Sequence, residues 1–220
     1  MIVAAGVISC NNDDNNTAPP ISSFGVVNAS PDASSLDVYL NGGPVVKNLV
    51  FGADTGYFTV TPGTYTLSFA DSGTTTSLLD QGVSFMPGIA YSVFAIDSLS
   101  HLQTAVVVDS AAVPSSDSVE ARFLNFSPNA PALDLVVNGT TVLFSARSYN
   151  DISANPAAAR FSYLTPGTYS VELRVAGTST VLYSTSVTFE GGKIYTLYAK
   201  GFTGDTGSAA LSIGTVVHNE

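Results

Sequence analysis

Asn28-Ala29-Ser30-Pro31-Asp32-Ala33-Ser34-Ser35-Leu36-Asp37-Val38-Tyr39-Leu40-Asn41-Gly42 decides the fold, because the chain contains it twice. It returns 97 residues later (28 to 125, 36 to 133, 41 to 138) as Asn125-Phe126-Ser127-Pro128-Asn129-Ala130-Pro131-Ala132-Leu133-Asp134-Leu135-Val136-Val137-Asn138-Gly139. Leu36, Val38 and Leu40 alternate with Asp37, Tyr39 and Asn41, the period of two of a strand with one buried face. Asn-Gly closes each copy, and both residues tolerate the positive φ of a tight hairpin. The Ser-Pro-Asp and Ser-Pro-Asn steps are turns whose side chains reach nearby backbone. A second stretch, Thr61-Pro62-Gly63-Thr64-Tyr65, returns as Thr165-Pro166-Gly167-Thr168-Tyr169 at an offset of 104. The second copy therefore carries 7 extra residues between the motifs, around Asn150 to Pro156. The Pro-Gly step predicts a type II turn, with Gly in the left-handed position.

Outward from these motifs, alternation predicts about eight strands per copy and no segment of helical period. Tyr169, Val171, Leu173 and Val175 against Ser170, Glu172 and Arg174 form the clearest half-buried strand. The expected architecture is all-β: two tandem immunoglobulin-like β-sandwiches of Greek-key type, each close to the usual size of such a domain. The first runs over 21–109 and the second over 119–220, with a small-residue linker at 110–118 and a polar tether at 11–20.

The formal charge is −10, with 7 Lys and Arg scattered along the chain. That excludes nucleic acid as a partner, since a binder needs a basic stripe to displace phosphate counterions. The only cysteine, Cys10, excludes an internal disulfide. It follows the apolar run Met1–Ser9, too short to span a bilayer but fitting the core of an export signal. Small Ser9 before Cys10 resembles a bacterial lipoprotein signal, in which the thiol is acylated; a start upstream of Met1 would account for the missing basic residues. The expectation is a lipid anchor on Cys10 in the outer membrane, with the folded part in the cell envelope or on the surface.

The Asn-Ala-Ser-Pro-Asp run, Pro-Gly-Thr-Tyr, Pro87-Gly88-Ile89-Ala90-Tyr91-Ser92-Val93 and Gly191-Gly192-Lys193-Ile194-Tyr195-Thr196-Leu197 together resemble the domain of unknown function 4397 family. The resemblance covers about residues 24 to 218 and implies tandem β-sandwich modules of secreted or lipid-anchored bacterial proteins. It implies no chemistry, because the family has no agreed activity.

Candidate chemistry is sparse. Asp32, Asp37 and Asn28 form an oxygen-rich turn that either holds calcium or caps the backbone. His101 and His218 are the only histidines, without a nucleophile elbow, and a zinc site needs more ligands. No enzyme activity and no cofactor are expected. Tyr39, on the outward set of its strand where the second copy has Val136, and Tyr149, beside the insertion, are the aromatics least readily placed in a core; they are the candidate ligand-binding residues. Three readings stand: a display, adhesion or assembly module with an envelope protein partner; a glycan-binding component of a nutrient-capture system; and, more remotely, a hydrolase.

Overall fold

The computed structural model describes residues 20–109 and 112–219; Cys10 and its flanking run lie outside them. The first repeat has eight strands: β1 (Ser22–Asn28), β2 (Ser35–Leu40), β3 (Gly43–Val50), β4 (Phe58–Val60), β5 (Gly63–Asp71), β6 (Ser77–Phe85), β7 (Ala90–Ile96) and β8 (Gln103–Val108). The second repeats the plan: β9 (Val119–Asn125), β10 (Leu133–Val137), β11 (Thr141–Arg147), β12 (Ser162–Leu164), β13 (Gly167–Val175), β14 (Val181–Phe189), β15 (Ile194–Lys200) and β16 (Ser212–Val217). Each repeat is a two-sheet sandwich. In the first, the sheets run β4-β1-β7-β8 and β3-β2-β5-β6; in the second, β12-β9-β15-β16 and β11-β10-β13-β14. The strand order adds a detail the sequence does not show: β1 and β7, and likewise β9 and β15, pair in parallel at the centre of one sheet.

The repeated motif does its work at the backbone. Asn28 Nδ2 donates to the carbonyls of Ala33 and Leu49, both at 3.0 Å, and its Oδ1 accepts from Ser30 N–H at 3.2 Å. Asn125 repeats this with Pro131, Arg147 and Ser127. Asp37 Oδ1 accepts from Asn48 N–H at 2.8 Å, pinning a bulge in β3 where Asn48 is left-handed. It also takes Ser72 Oγ–H at 3.1 Å. The Asn48 amide, the largest influence, holds the Asp37 carboxyl below the ordinary range, and burial only partly opposes it. Asp134 plays the same part for Ala146 and Gly177. Asp32 and Asn129 each accept from one distant backbone N–H, of Leu99 and Thr203. These oxygens are occupied by N–H and O–H donors, which is the capping reading of the turn. Among the described residues no group of three or more His, Cys, Asp or Glu is placed to hold a metal ion.

One turn differs from expectation. Gly63 opens β5 at φ 158°, not the roughly 80° of a type II turn. The Tyr65 ring lies against the glycine, and its hydroxyl donates to the Thr61 carbonyl at 2.8 Å. Tyr169 does the same to Thr165.

The two sandwiches do not hang apart on a linker. Core residues such as Phe24, Val38, Phe69 and Val93 fill the first, and Phe123, Leu135, Leu173 and Leu197 fill the second. A third apolar core joins them: Val27, Ala29, Phe94, Ile96, Ala105 and Val107 from the first repeat meet Leu124, Phe126, Ile152, Ala158, Tyr198 and Val216 from the second. The molecule is thus four stacked sheets with three cores. Sheets β4-β1-β7-β8 and β12-β9-β15-β16 form the inner layers, and β1, β7, β9 and β15 are covered on both faces.

Candidate functional site

Two places concentrate side chains whose role is not simple packing. The first lies between the repeats, where each presents the same patch to its counterpart. Phe94 and Tyr198 are equivalent positions and touch each other, with ring centroids 5.2 Å apart. Beside them Ser92 and Thr196, Asp109 and His218, and Tyr57 and Phe161 are also equivalent. Gly25 breaks the symmetry: its counterpart is Arg122, and a Cβ at Gly25 would stand 2.7 Å from the Gly56 carbonyl.

Arg122 is fully buried. Its Nη2 pairs with Asp109 Oδ1, Nη1 donates to the Val108 carbonyl at 2.8 Å, and Nε donates to Thr196 Oγ at 2.8 Å. The guanidinium also lies 4.6 Å over the Phe161 ring. Asp109 Oδ2 accepts from Tyr57 at 2.8 Å and from Ser92 at 2.6 Å. His218 closes the circuit, with Nδ1 2.6 Å from the Tyr57 hydroxyl and Nε2 2.6 Å from Thr196 Oγ. Because Tyr57 gives its proton to Asp109, His218 Nδ1–H must be the donor to Tyr57, leaving Nε2 to accept from Thr196. One neutral tautomer satisfies every group.

The electrostatics agree. Burial, its largest cause, pushes His218 from 6.5 down to about 4; the Asp109 carboxylate pulls the other way, and Arg122 adds to the depression. Burial also pushes the Tyr57 phenol up, reinforced by Asp109, and draws the Arg122 guanidinium down against the Asp109 charge. The void beside the network, between Tyr57, Ser92 and Val216, is about 20 Å³, room for one water and no substrate. The network holds the two repeats together; its Ser, His and Asp face one another without a cleft.

It carries a pH dependence. The unfolded chain binds a proton at His218 below pH 6.5 and the folded chain only below about 4. Stability is therefore complete above pH 6.5, falls as pH drops towards 4, and levels off beneath that, for a total of about 3 kcal/mol. Urea midpoints between pH 7.5 and 4 should show this fall, and His218→Gln should be flat across the same window. The depressed Asp37 carboxyl adds a separate loss below its ordinary 3.8.

The second place is a groove of about 330 Å³ on the outer face of β3-β2-β5-β6, lined by Tyr39, Gly42, Ser68, Ala70, Thr75 and Ser77. Tyr39 stands opposite Ser68 on β5, and Ala70 stands opposite both Asp37 and Ser77. Small side chains on β5 leave the space open beside the ring. In the second repeat the same positions carry Val136, Glu172, Arg174 and Val181. There Arg174 pairs with Glu172 and donates to the Gly139 carbonyl at 2.9 Å, closing the space over a buried Val136.

The structure does not bring the two candidate tyrosines together. Tyr39 lines the open groove. Tyr149 packs on the core between the repeats, and burial, followed by the charge of Asp97, raises its phenol. The insertion beside it forms two 3₁₀ turns, Asp151–Ser153 and Pro156–Ala159, whose Ile152 and Ala158 plug that core. The interdomain network escaped the sequence because its members are spread from Tyr57 to His218. The available signal was that Ala90–Ile96 and Ile194–Ala199 carry no charge and only one Ser or Thr each among apolar and aromatic residues, which marks strands covered on both faces.

A family described as "Domain of unknown function (DUF4397)" matches residues 22–136 and 122–216. No curated protein matches. Among solved structures, a streptococcal virulence factor described as binding α-glucan is 12% identical, covers 87% of this chain and 95% of its own, and has a TM-score of 0.27. Family 41 carbohydrate-binding modules from streptococcal virulence factors give 10%, 84%, 94% and 0.25. The family 26 module of Eubacterium rectale Amy13K, in complex with maltoheptaose, gives 12%, 91%, 97% and 0.26. Likeness at this level assigns no ligand to the chain.

Proposed function

The chain belongs to the DUF4397 family, as two tandem copies of its domain, and from that premise we propose that it is a non-catalytic glycan-binding module of the cell envelope. The observation that supports this is the groove beside Tyr39, open in one repeat and filled by an ion pair in the other. Sugar rings offer an apolar C–H face and a rim of hydroxyls. The groove offers the matching pair: an aromatic face with no hydrogen-bond partner for its hydroxyl among the described residues, and a polar rim of the Thr75 hydroxyl with the Ser68 and Ser77 oxygens, whose own protons go to Asp80. A pocket that is mostly apolar with a few convergent polar groups is the usual form of a small-ligand site.

Screening the protein against a panel of soluble polysaccharides should yield a saturable ligand. Tyr39→Ala should weaken it at least tenfold with no change in the urea midpoint. The triple change Ser68→Glu, Ala70→Arg and Asp80→Ser, which copies the second repeat across β5 and β6, should abolish binding while the fold stands. A blank panel, or a ligand indifferent to both variants, would overturn the reading.

The module is held to the membrane by a lipid on Cys10. The lone cysteine, directly after an apolar run and before a polar tether, supports this. Labelled palmitate should enter the native chain expressed in an exporting bacterium and be absent from Cys10→Ser; equal labelling of both would refute the anchor.

A further inference from the structure

We propose that the free edge of β8 takes an extended peptide from a partner protein, added as a fifth strand and held at its acidic end by Arg160. This rests on the edge itself and is independent of the glycan groove.

β8 pairs only with β7, so one side of it is an open ladder. Asp109 N–H bonds back to Ala90, which sets the phase: the backbone groups of Thr104, Val106 and Val108 point away from the sheet. Of these, the Val108 carbonyl is taken by Arg122. Open edges are normally blunted by lysine, proline or a bulge. Here the edge carries Val106 and Val108, 41% and 50% exposed.

A groove of about 320 Å³ runs along three consecutive strand residues, Val106, Val107 and Val108. Its other wall is the insertion, through Ile152, Pro156 and Ala159, with Arg160 alongside. The internal symmetry of the molecule supplies a control. At the equivalent edge, Val216 and Val217 of β16 meet the Asp54–Tyr57 loop of the first repeat, and the void there is only about 20 Å³. The 7 residues present in one repeat only thus stand off from the edge and leave a slot with a strand on one side and helical turns on the other. A strand edge beside an apolar wall is the geometry of β-augmentation, in which main-chain bonds give affinity and alternate side chains fill pockets. Arg160 is exposed and has no ion-pair partner among the described residues. In a chain of net charge −10 it selects a peptide with a carboxylate at that end.

The test uses the full chain and two fluorescein-labelled probes, Gly-Thr-Val-Thr-Val-Thr-Asp with a free carboxyl terminus and Gly-Thr-Val-Thr-Val-Thr-Asn as the amide. Anisotropy should show saturable binding of the acid and binding at least tenfold weaker for the amide. Arg160→Gln should remove the difference between them. Val106→Pro removes an outward N–H at an edge position where proline is tolerated; it should lose both probes and keep the native urea midpoint. Absence of saturation into the millimolar range overturns the proposal, as does binding that neither variant alters. Concentration-dependent dimers in sedimentation velocity, lost in Val106→Pro, would also overturn it and assign the edge to a second copy of this chain.

Discussion

Arg122→Ala lowers the unfolding free energy by about 3–5 kcal/mol, the range for removing one partner of a buried ion pair. The loss comes from what is left behind. Asp109 is left buried without its cationic partner, with hydrogen bonds from Tyr57 and Ser92 and the His218 ring 3.9 Å away. The Val108 carbonyl and Thr196 lose their donors. Because the pair sits between the repeats, the variant should also loosen their coupling, so that calorimetry resolves two transitions where the native chain gives one. The control is the double variant Arg122→Met with Asp109→Leu, which removes both charges and fills the space with apolar atoms. It should recover part of the loss, because no charge is left stranded, while the Val108 carbonyl, Thr196, Tyr57 and Ser92 remain without their partners. A single variant as stable as the native chain would show that water reaches Asp109 and that the network does not hold the repeats together.

Asn28→Ala is the second large effect, at about 3 kcal/mol or more. Asn28 is wholly buried and tethers three backbone groups from two segments, the turn at Ser30 and Ala33 and the end of β3 at Leu49. Truncation strands two carbonyls and one N–H in a space closed to solvent, and each such group costs ~1–3 kcal/mol. Asn28→Asp isolates the chemistry: it keeps the oxygen for Ser30 but turns a donor towards two carbonyls into an acceptor, so it should be no better than alanine. Asn125→Ala should behave alike, because Asn125 also bonds three backbone groups, of Ser127, Arg147 and, at a longer 3.4 Å, Pro131. Chemical denaturation of the four proteins checks this; an Asn28→Ala protein within about 0.5 kcal/mol of native would mean that water replaces the side chain.

The sequence motif was legible as a repeat and as a strand for a physical reason: its alternating apolar positions each meet a core, and Leu36, Val38, Leu133 and Leu135 are buried. The strands of the inner layers were harder. In β9, Glu120 and Arg122 alternate with Ala121 and Phe123, yet all four are buried and Arg122 bonds Asp109 of the other repeat. A lone charge on an apolar strand carries no mark of its partner when the partner is Asp109, beyond a turn, or His218, near the end of the chain. Ser110 to Ser118 reads as a spacer by composition, yet the sheets it connects are packed together. The Tyr39 groove was half legible. Its aromatic was visible on the outward set, but its emptiness depends on Ser68 and Ala70 across the sheet, and the filling of its twin depends on Glu172 and Arg174. Tyr149 stands out in the sequence for its place beside the insertion, but the insertion turns inwards and Tyr149 packs on the shared core.

The shared core between the repeats also has a history in time. During synthesis the first repeat emerges alone, with Val27, Phe94, Ile96, Ala105 and Val107 on an uncovered sheet. The strands that cover it, from β9 to β16, come from the following hundred or so residues, roughly 5–20 s of elongation at typical rates. For that interval the newborn half offers a flat apolar wall to any chain nearby, including the first half of another copy on the same message. The chain is therefore exposed to misassembly before it is finished rather than after, and slowing translation beyond β8 should raise its aggregated fraction while leaving the stability of the completed protein untouched.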